Sequence, residues 1–291
     1  ASHDNAPPGD AGVPPAWLPP STGIALPPLQ PREAAADAVG RLIVLKPARR
    51  NSMLSRLAGP TACCAWLVPG LVLMSGYPDG EAAAEPRRLR QPRDPDAAAQ
   101  ILLSGVGVLV ACGDESEVRE HERTKELRPF EAVFRARHVA LRASLQAAAA
   151  AAVQTTALAD QEVRALKSLA GEDSAAEERR QLNLADAAER ATAARAESSR
   201  LIRTQERFPA ALSVQWEAMR KDAAPPPSEL VAVCRRLEER LRRGQRLLLW
   251  SPGGRGRCGV VAAALLGRLY GLAPQEALSR VQDCHDARQD V

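Results

Sequence analysis

Three consecutive leucines, Leu247 to Leu249, run through Trp250 into Ser251-Pro-Gly-Gly-Arg-Gly-Arg257, and an alanine- and leucine-rich stretch follows at once. An apolar run bounded by a glycine cluster predicts a buried β-strand over 245–250. The pattern after it predicts a helix from Gly259 to Tyr270, ended by Gly271. Strand, glycine-rich loop and helix in that order belong to an α/β sheet, with the loop at the carboxyl edge of the strand. The grammar recurs upstream. Asp96 to Ser104 predicts a helix closed by Gly105, and Val106 to Cys112 a buried strand. Trp66 to Pro78 predicts a strand, a turn, a short strand and a second turn. Ser228 is placed as the cap of a helix ending at Arg243-Gly244, and Pro274 opens a helix to about Cys284. The expected fold class is therefore α/β, a central, mostly parallel sheet flanked by helices, with Leu247–Leu249 as its innermost strand.

Two segments do not fit that grammar. Residues 1–31 hold nine of the chain's 23 prolines, several in pairs such as Pro14-Pro15 and Pro27-Pro28. Paired prolines lack backbone donors and hold a chain extended, so this is a proline-rich arm that is ordered only by lying on something else. The stretch from Pro129 to Arg207 has no further proline and one glycine, Gly171, and is built from alanine, arginine, glutamate and glutamine. These are strong helix formers. Two long helices hinged near Gly171–Ser174 are expected, with Ser174 capping the second and Glu177 three places on. The predicted domains are the arm at 1–31, an α/β domain over 32–130 and 208–291, and a helical hairpin inserted at 131–207. An alanine-rich hairpin buries little area per residue, so it is expected to lean on the main domain or on a partner; a solvated, partly frayed insertion is the alternative.

Composition removes several function classes. Formal net charge is +4 over 291 residues and aromatics are 3%, which argues against a nucleic-acid partner or a base-stacking platform. The longest apolar run, Ile101 to Cys112, is too short to span a bilayer. Six cysteines (Cys63, Cys64, Cys112, Cys234, Cys258 and Cys284) form no CxxC pair. They read as buried free thiols of a reducing compartment, with no metal site and no cofactor expected. Ala1 in place of an initiator methionine fits either a processed terminus or a renumbered one, so with the free thiols the location stays open between an organelle (mitochondrion or plastid) and the cytoplasm, a reducing compartment.

The glycine loop carries the candidate chemistry. Gly253, Gly254 and Gly256 would let the backbone curl with positive φ, so that several N–H groups face one spot beside the positive end of a helix. Ser251 and Arg255 flank that spot, and Arg257 would add a charge-assisted fork to a phosphate or sulfate. No Gly-Lys-Ser/Thr follows, so this is not a nucleotide-binding Walker loop. A tight strand–helix turn with solvated arginines is the plainer alternative.

The loop resembles the signature of the protein tyrosine phosphatase superfamily, in its dual-specificity-like branch: His-Cys, five residues, then Arg-Ser/Thr-Gly. Trp250 stands where that family has histidine and Ser251 where it has the cysteine nucleophile; Arg257, Cys258 and Gly259 follow in step. The resemblance extends to Trp66-Leu-Val-Pro-Gly70, Ser75-Gly-Tyr-Pro78, Ser104 to Val110 with Asp114-Glu115, Arg128-Pro-Phe130, and the segments 262–271 and 274–278. It covers roughly 65–130 and 208–290. By position it implies that Asp222 matches the general acid, and it implies an anion site at the loop. The departures imply a decayed enzyme. A serine hydroxyl titrates far above a thiol, and His3, His121, His138 and His285 form no recognisable pairing with it.

The expected function is thus a catalytically inactive phosphatase-like protein, an accessory or structural subunit that contacts other protein subunits through 1–31 and 135–205. Its loop would retain phosphate or sulfate. The alternatives are a regulator that binds a phosphorylated ligand and an active phosphatase using Ser251 or Cys258.

Overall fold

The structure is a computed structural model that describes residues 24–29, 57–77, 96–124, 129–169, 174–220 and 223–288. The chain divides into two compact units, one of residues 1–97, 108–128 and 213–291, the other of 98–107 and 129–212. The predicted boundaries differ from this division: residues 98–107, which take in most of a short helix and the first two residues of the following strand, group with the helical hairpin, as do 129–130 and 208–212.

The first unit is built on a five-stranded mixed sheet. Strands β1 (Cys64–Val68) and β2 (Val72–Ser75) form an antiparallel hairpin. The hairpin turns over Pro69-Gly70, where Gly70 has φ of +73°. β3 spans Val106–Cys112, β4 Ser213–Glu217 and β5 Arg246–Trp250. β2 pairs in parallel with β5, with Met74 opposite Leu249, and β3 pairs in parallel with β4. The order is β1-β2-β5-β3-β4, so Leu247–Leu249 is central, as the all-apolar run predicts. β2 and β3 are buried along their whole length, as is β5 apart from Arg246, the pattern of strands covered on both faces.

The helices of this unit are α2 (Glu115–Thr124), α5 (Pro227–Arg242), α6 (Gly256–Tyr270) and α7 (Pro274–Asp286). Val233, Leu237 and Leu241 of α5 recur at four-residue spacing and meet Val261, Leu265 and Leu269 of α6 and Val281 of α7 in one core with the sheet. Burying that many aliphatic side chains, at about 1.5–3 kcal/mol each, is the main favourable term holding the layers together. Glu238 of α5 and Arg268 of α6 form a forked ion pair inside it, with 2% and 4% of their side chains exposed. Ser228 does not cap α5. The helix begins at Pro227, whose ring presets φ and whose missing N–H costs nothing in a first turn, so Ser228 lies inside that turn. Gly244, at φ +72°, ends the helix as expected. Within the proline-rich arm, residues 24–29 are described. Ile24 and Leu26 pack against this core and the Tyr270 hydroxyl donates to the Pro27 carbonyl at 3.0 Å.

In the second unit, α1 (Ala97–Leu103) closes on Gly105 at φ +92°, and two long helices follow, α3 (Phe130–Ser168) and α4 (Ser174–Arg207). The expected hinge at 171–173 lies outside the described residues, but the two helices end and begin on either side of it. They pack antiparallel along a seam in which the shielded positions recur at steps of three and four. On α3 it includes Leu141, Leu145, Ala148, Ala152 and Thr156, and on α4 Leu184, Ala187, Ala191, Ala194 and Ser198. Small seam residues let the backbones approach closely, and ion pairs from Arg190 to Glu162 (2.7 Å) and Arg195 to Asp160 (2.6 Å) bridge the helices. The Glu177 carboxylate accepts from Arg180 and Gln181. The base of the hairpin is fixed by Phe130 and Phe134, both fully buried, and by His138, whose Nε2 lies 2.9 Å from the Pro209 carbonyl and whose ring stacks on Phe208. No helix among the described residues is long and apolar enough to cross a membrane.

Candidate functional site

β5 delivers Ser251 to the carboxyl edge of the sheet, and the chain turns at once: the Gly254 amide donates to the Ser251 carbonyl at 2.8 Å. Gly254 has φ of +62°, and a Cβ there would fall 2.6 Å from the Gly76 Cα. Its carbonyl accepts from Arg288 Nη1 at 3.1 Å. Of the three loop glycines, only this one has a positive φ; a Cβ on Gly253 or Gly256 would meet nothing within 4 Å. After Arg255, which keeps a non-helical backbone at the N-cap, α6 starts at Gly256, three residues earlier than the sequence pattern predicts. The curled nest expected over 253–257 is replaced by one tight turn and a first helical turn, with the Gly254 amide spent on Ser251.

Arg257 lies in that first turn. Its guanidinium forks onto Glu117 of α2, with Nη2 at 2.8 Å from Oε1 and Nη1 bonded to Oε2, and Nη1 also reaches the Met219 carbonyl at 3.4 Å. Gly113, just after β3, leaves room for it: a Cβ there would sit 2.8 Å from Nη1. Three elements beyond the loop thus converge on one side chain. Arg255 points elsewhere; it is exposed, and its guanidinium has no hydrogen-bond or ion-pair partner among the described residues.

Ser251 is buried, and its Oγ donates to Cys258 Sγ at 3.4 Å. Burial pushes the Cys258 thiol up from its ordinary value, outweighing the Ser251 hydrogen bond and the nearby Arg288 charge, which act the other way. The pair at the two signature positions is therefore a neutral hydroxyl and a neutral thiol. No histidine approaches Ser251 among the described residues: His121 faces Tyr77, His138 holds Pro209 in the hairpin, and His285 Nδ1 lies 3.8 Å from Asp286. Trp250 is fully buried behind the loop and packs edge-on against Tyr77, with ring centroids 5.6 Å apart. The Tyr77 hydroxyl donates to buried Glu122 at 2.9 Å.

Asp222 lies outside the described residues. Asp114, in the expected acidic loop, is exposed and accepts from the Ser116 amide at 2.8 Å and from the Ser116 hydroxyl, which holds its carboxyl below its ordinary value. It starts α2 and does not face the loop arginine. Glu117, the residue that does, stands in a run of four glutamates, Glu115, Glu117, Glu120 and Glu122, where only the helix's orientation singles it out. All six cysteines are buried and free. Among the described residues no cluster of histidine, cysteine or carboxylate side chains is placed to hold a metal ion. No family model, no curated protein and no solved structure matches this chain.

Proposed function

We propose that this chain is a catalytically inactive phosphatase-like protein, with the sheet and loop arranged as in the tyrosine phosphatases, that serves as an accessory or structural subunit of a larger assembly. The observation that carries the reading is the Ser251–Cys258 pair: a serine at the nucleophile position, hydrogen-bonded to a thiol that burial keeps protonated, with no base beside either among the described residues. Nucleophilic displacement at phosphorus needs a thiolate or an activated hydroxyl, and this pair offers neither.

The structural role draws support from α3. Ala132, Ala136, Val139, Ala143, Gln146, Ala150, Val153 and Ala157 recur at alternating steps of four and three, and all are exposed, Val139 by 68% and Val153 by 50%. They lie on the opposite side of α3 from its seam with α4. From Ala143 to Ala159 the helix carries no charged residue. An exposed, uncharged face of small residues suits a second helix better than it suits water.

Two measurements test the reading. Hydrolysis of 4-nitrophenyl phosphate at neutral pH should stay at the uncatalysed background for the wild-type chain; turnover that vanishes in Ser251→Ala would establish an active phosphatase instead. Cross-linking of the native assembly should place the contacts of residues 135–205 on other protein chains; a chain that is monomeric and uncross-linked in its source would remove the subunit role.

A further inference from the structure

The first unit carries two large apolar side chains that stay exposed among its described residues, Val260 at 36% and Leu278 at 55%. Both line the same cavity, of about 450 Å³, between the start of α6 and the length of α7. Buried Met74 and Val281 complete its apolar wall. That volume falls within the range of about 300–1,000 Å³ usual for small-molecule sites. Arg255 lines the cavity too, and its exposed guanidinium is uncommitted among the described residues, whereas Arg257 is spent on Glu117. The carboxylate on the lining, Asp286, is engaged by the Gln282 amide at 2.7 Å and flanked by His285.

We propose that this cavity is a binding site for a small amphipathic organic anion, a phosphate or carboxylate monoester-like head on an apolar body. The body lies against Val260, Leu278, Val281 and Met74, and the head pairs with Arg255. The complementarity is double. A purely apolar ligand would leave the Arg255 guanidinium unmatched, and a bare inorganic anion would leave the apolar wall facing water. The site is separate from the Arg257–Glu117 fork, and it does not depend on the phosphatase-like reading.

The test is calorimetric titration of the full-length chain with octyl phosphate, kept below micelle-forming concentration, beside inorganic phosphate and octanol. Octyl phosphate should bind at least tenfold more tightly than either fragment. Arg255→Gln and Leu278→Asp, both at exposed positions that leave the core untouched, should each weaken it tenfold or more while the circular dichroism spectrum is unchanged. Binding no tighter than that of inorganic phosphate, or binding that neither substitution weakens, would overturn the proposal. Loss of binding in Arg257→Gln with none in Arg255→Gln would also overturn it, by placing the anion on the other side of the loop.

Discussion

Arg257 Nη2 lies 2.8 Å from Glu117 Oε1 and Nη1 bonds the other carboxylate oxygen, so the guanidinium at the start of α6 is already matched by a fork from α2. An oxyanion at the loop must displace that carboxylate. Their side chains are 13% and 32% exposed, so the pair is shielded enough for its loss to matter. Arg257→Ala should weaken sulfate or phosphate by roughly ten- to hundredfold, the worth of one charge-assisted hydrogen bond of about 1.5–3 kcal/mol. Glu117→Gln should do the reverse and tighten sulfate, because it removes the competing charge. Calorimetry on the two variants checks both directions; no change in either would show that Arg257 holds no anion.

Ser251→Cys should not confer phosphatase turnover. The introduced thiol would face Cys258, which has no hydroxyl to stabilise a thiolate, and Trp250 would still fill the space behind the loop. The measured 4-nitrophenyl phosphate rate should stay within a few-fold of the wild-type background. A thousandfold gain would mean that the surrounding loop is catalytically intact.

The loop glycines are not equivalent. Gly254→Ala puts a Cβ at positive φ and 2.6 Å from the Gly76 backbone, and should cost about 2 kcal/mol or more. Gly253→Ala meets open space and should change stability by no more than about 1 kcal/mol in either direction. Urea midpoints for the two variants would separate them.

How far these features could be read from sequence depends on whether one segment or several decide them. β5 and β3 were legible because each is a continuous apolar run between glycines, and α3 and α4 because nothing in 130–168 or 174–207 breaks a helix. The start of α6 was misplaced because three glycines within four residues invite three positive φ values, and only Gly254 is forced into one, by Gly76 and Arg288 from elsewhere in the chain. The partner of Arg257 was not legible at all. Glu117 lies 140 positions away among similar glutamates, and choosing it requires the packing of α2 beside the loop.

The buried ion pair of Glu238 and Arg268 gives a fourth test. Removing Glu238 strands Arg268 in the core, so Glu238→Ala should cost about 3–5 kcal/mol; Arg268→Ala leaves Glu238 with Arg242 at 3.5 Å and should cost less. The double replacement Glu238→Leu with Arg268→Met should cost less than either, since no charge is left unpaired. A double variant as unstable as the sum of the singles would contradict this.

Alkaline pH supplies a fifth. Burial raises the thiols of Cys112, Cys258 and Cys284 and pushes Cys234 up to about 12. In the unfolded chain these thiols ionise near their ordinary values, so above that range the unfolded state binds fewer protons than the folded one. Stability is then fully present below about pH 8.5 and falls as pH rises toward 12, by up to about 1.4 kcal/mol per pH unit for each thiol. Urea midpoints measured from pH 7.5 to 10.5 should decline. A flat profile would mean that the thiols are not shielded in solution.

The alanine hairpin also shapes how the chain folds. β3 and β4 are neighbours in the sheet, yet roughly a hundred residues separate Cys112 from Ser213. Closing a flexible loop of that length would cost about 4 kcal/mol of chain entropy. The helices meet that cost locally. α3 and α4 zip from nearest neighbours, and the His138–Pro209 contact at 2.9 Å ties the outgoing strand of the hairpin to the returning one. Once the hairpin has formed, β4 is recruited through a short effective loop, whatever the reach of the helices. Lengthening α3 and α4 in step by whole turns should therefore leave the folding rate nearly unchanged, while cutting the tie at His138 should slow it. The insertion acts as a kinetic clasp, which makes its length free to vary.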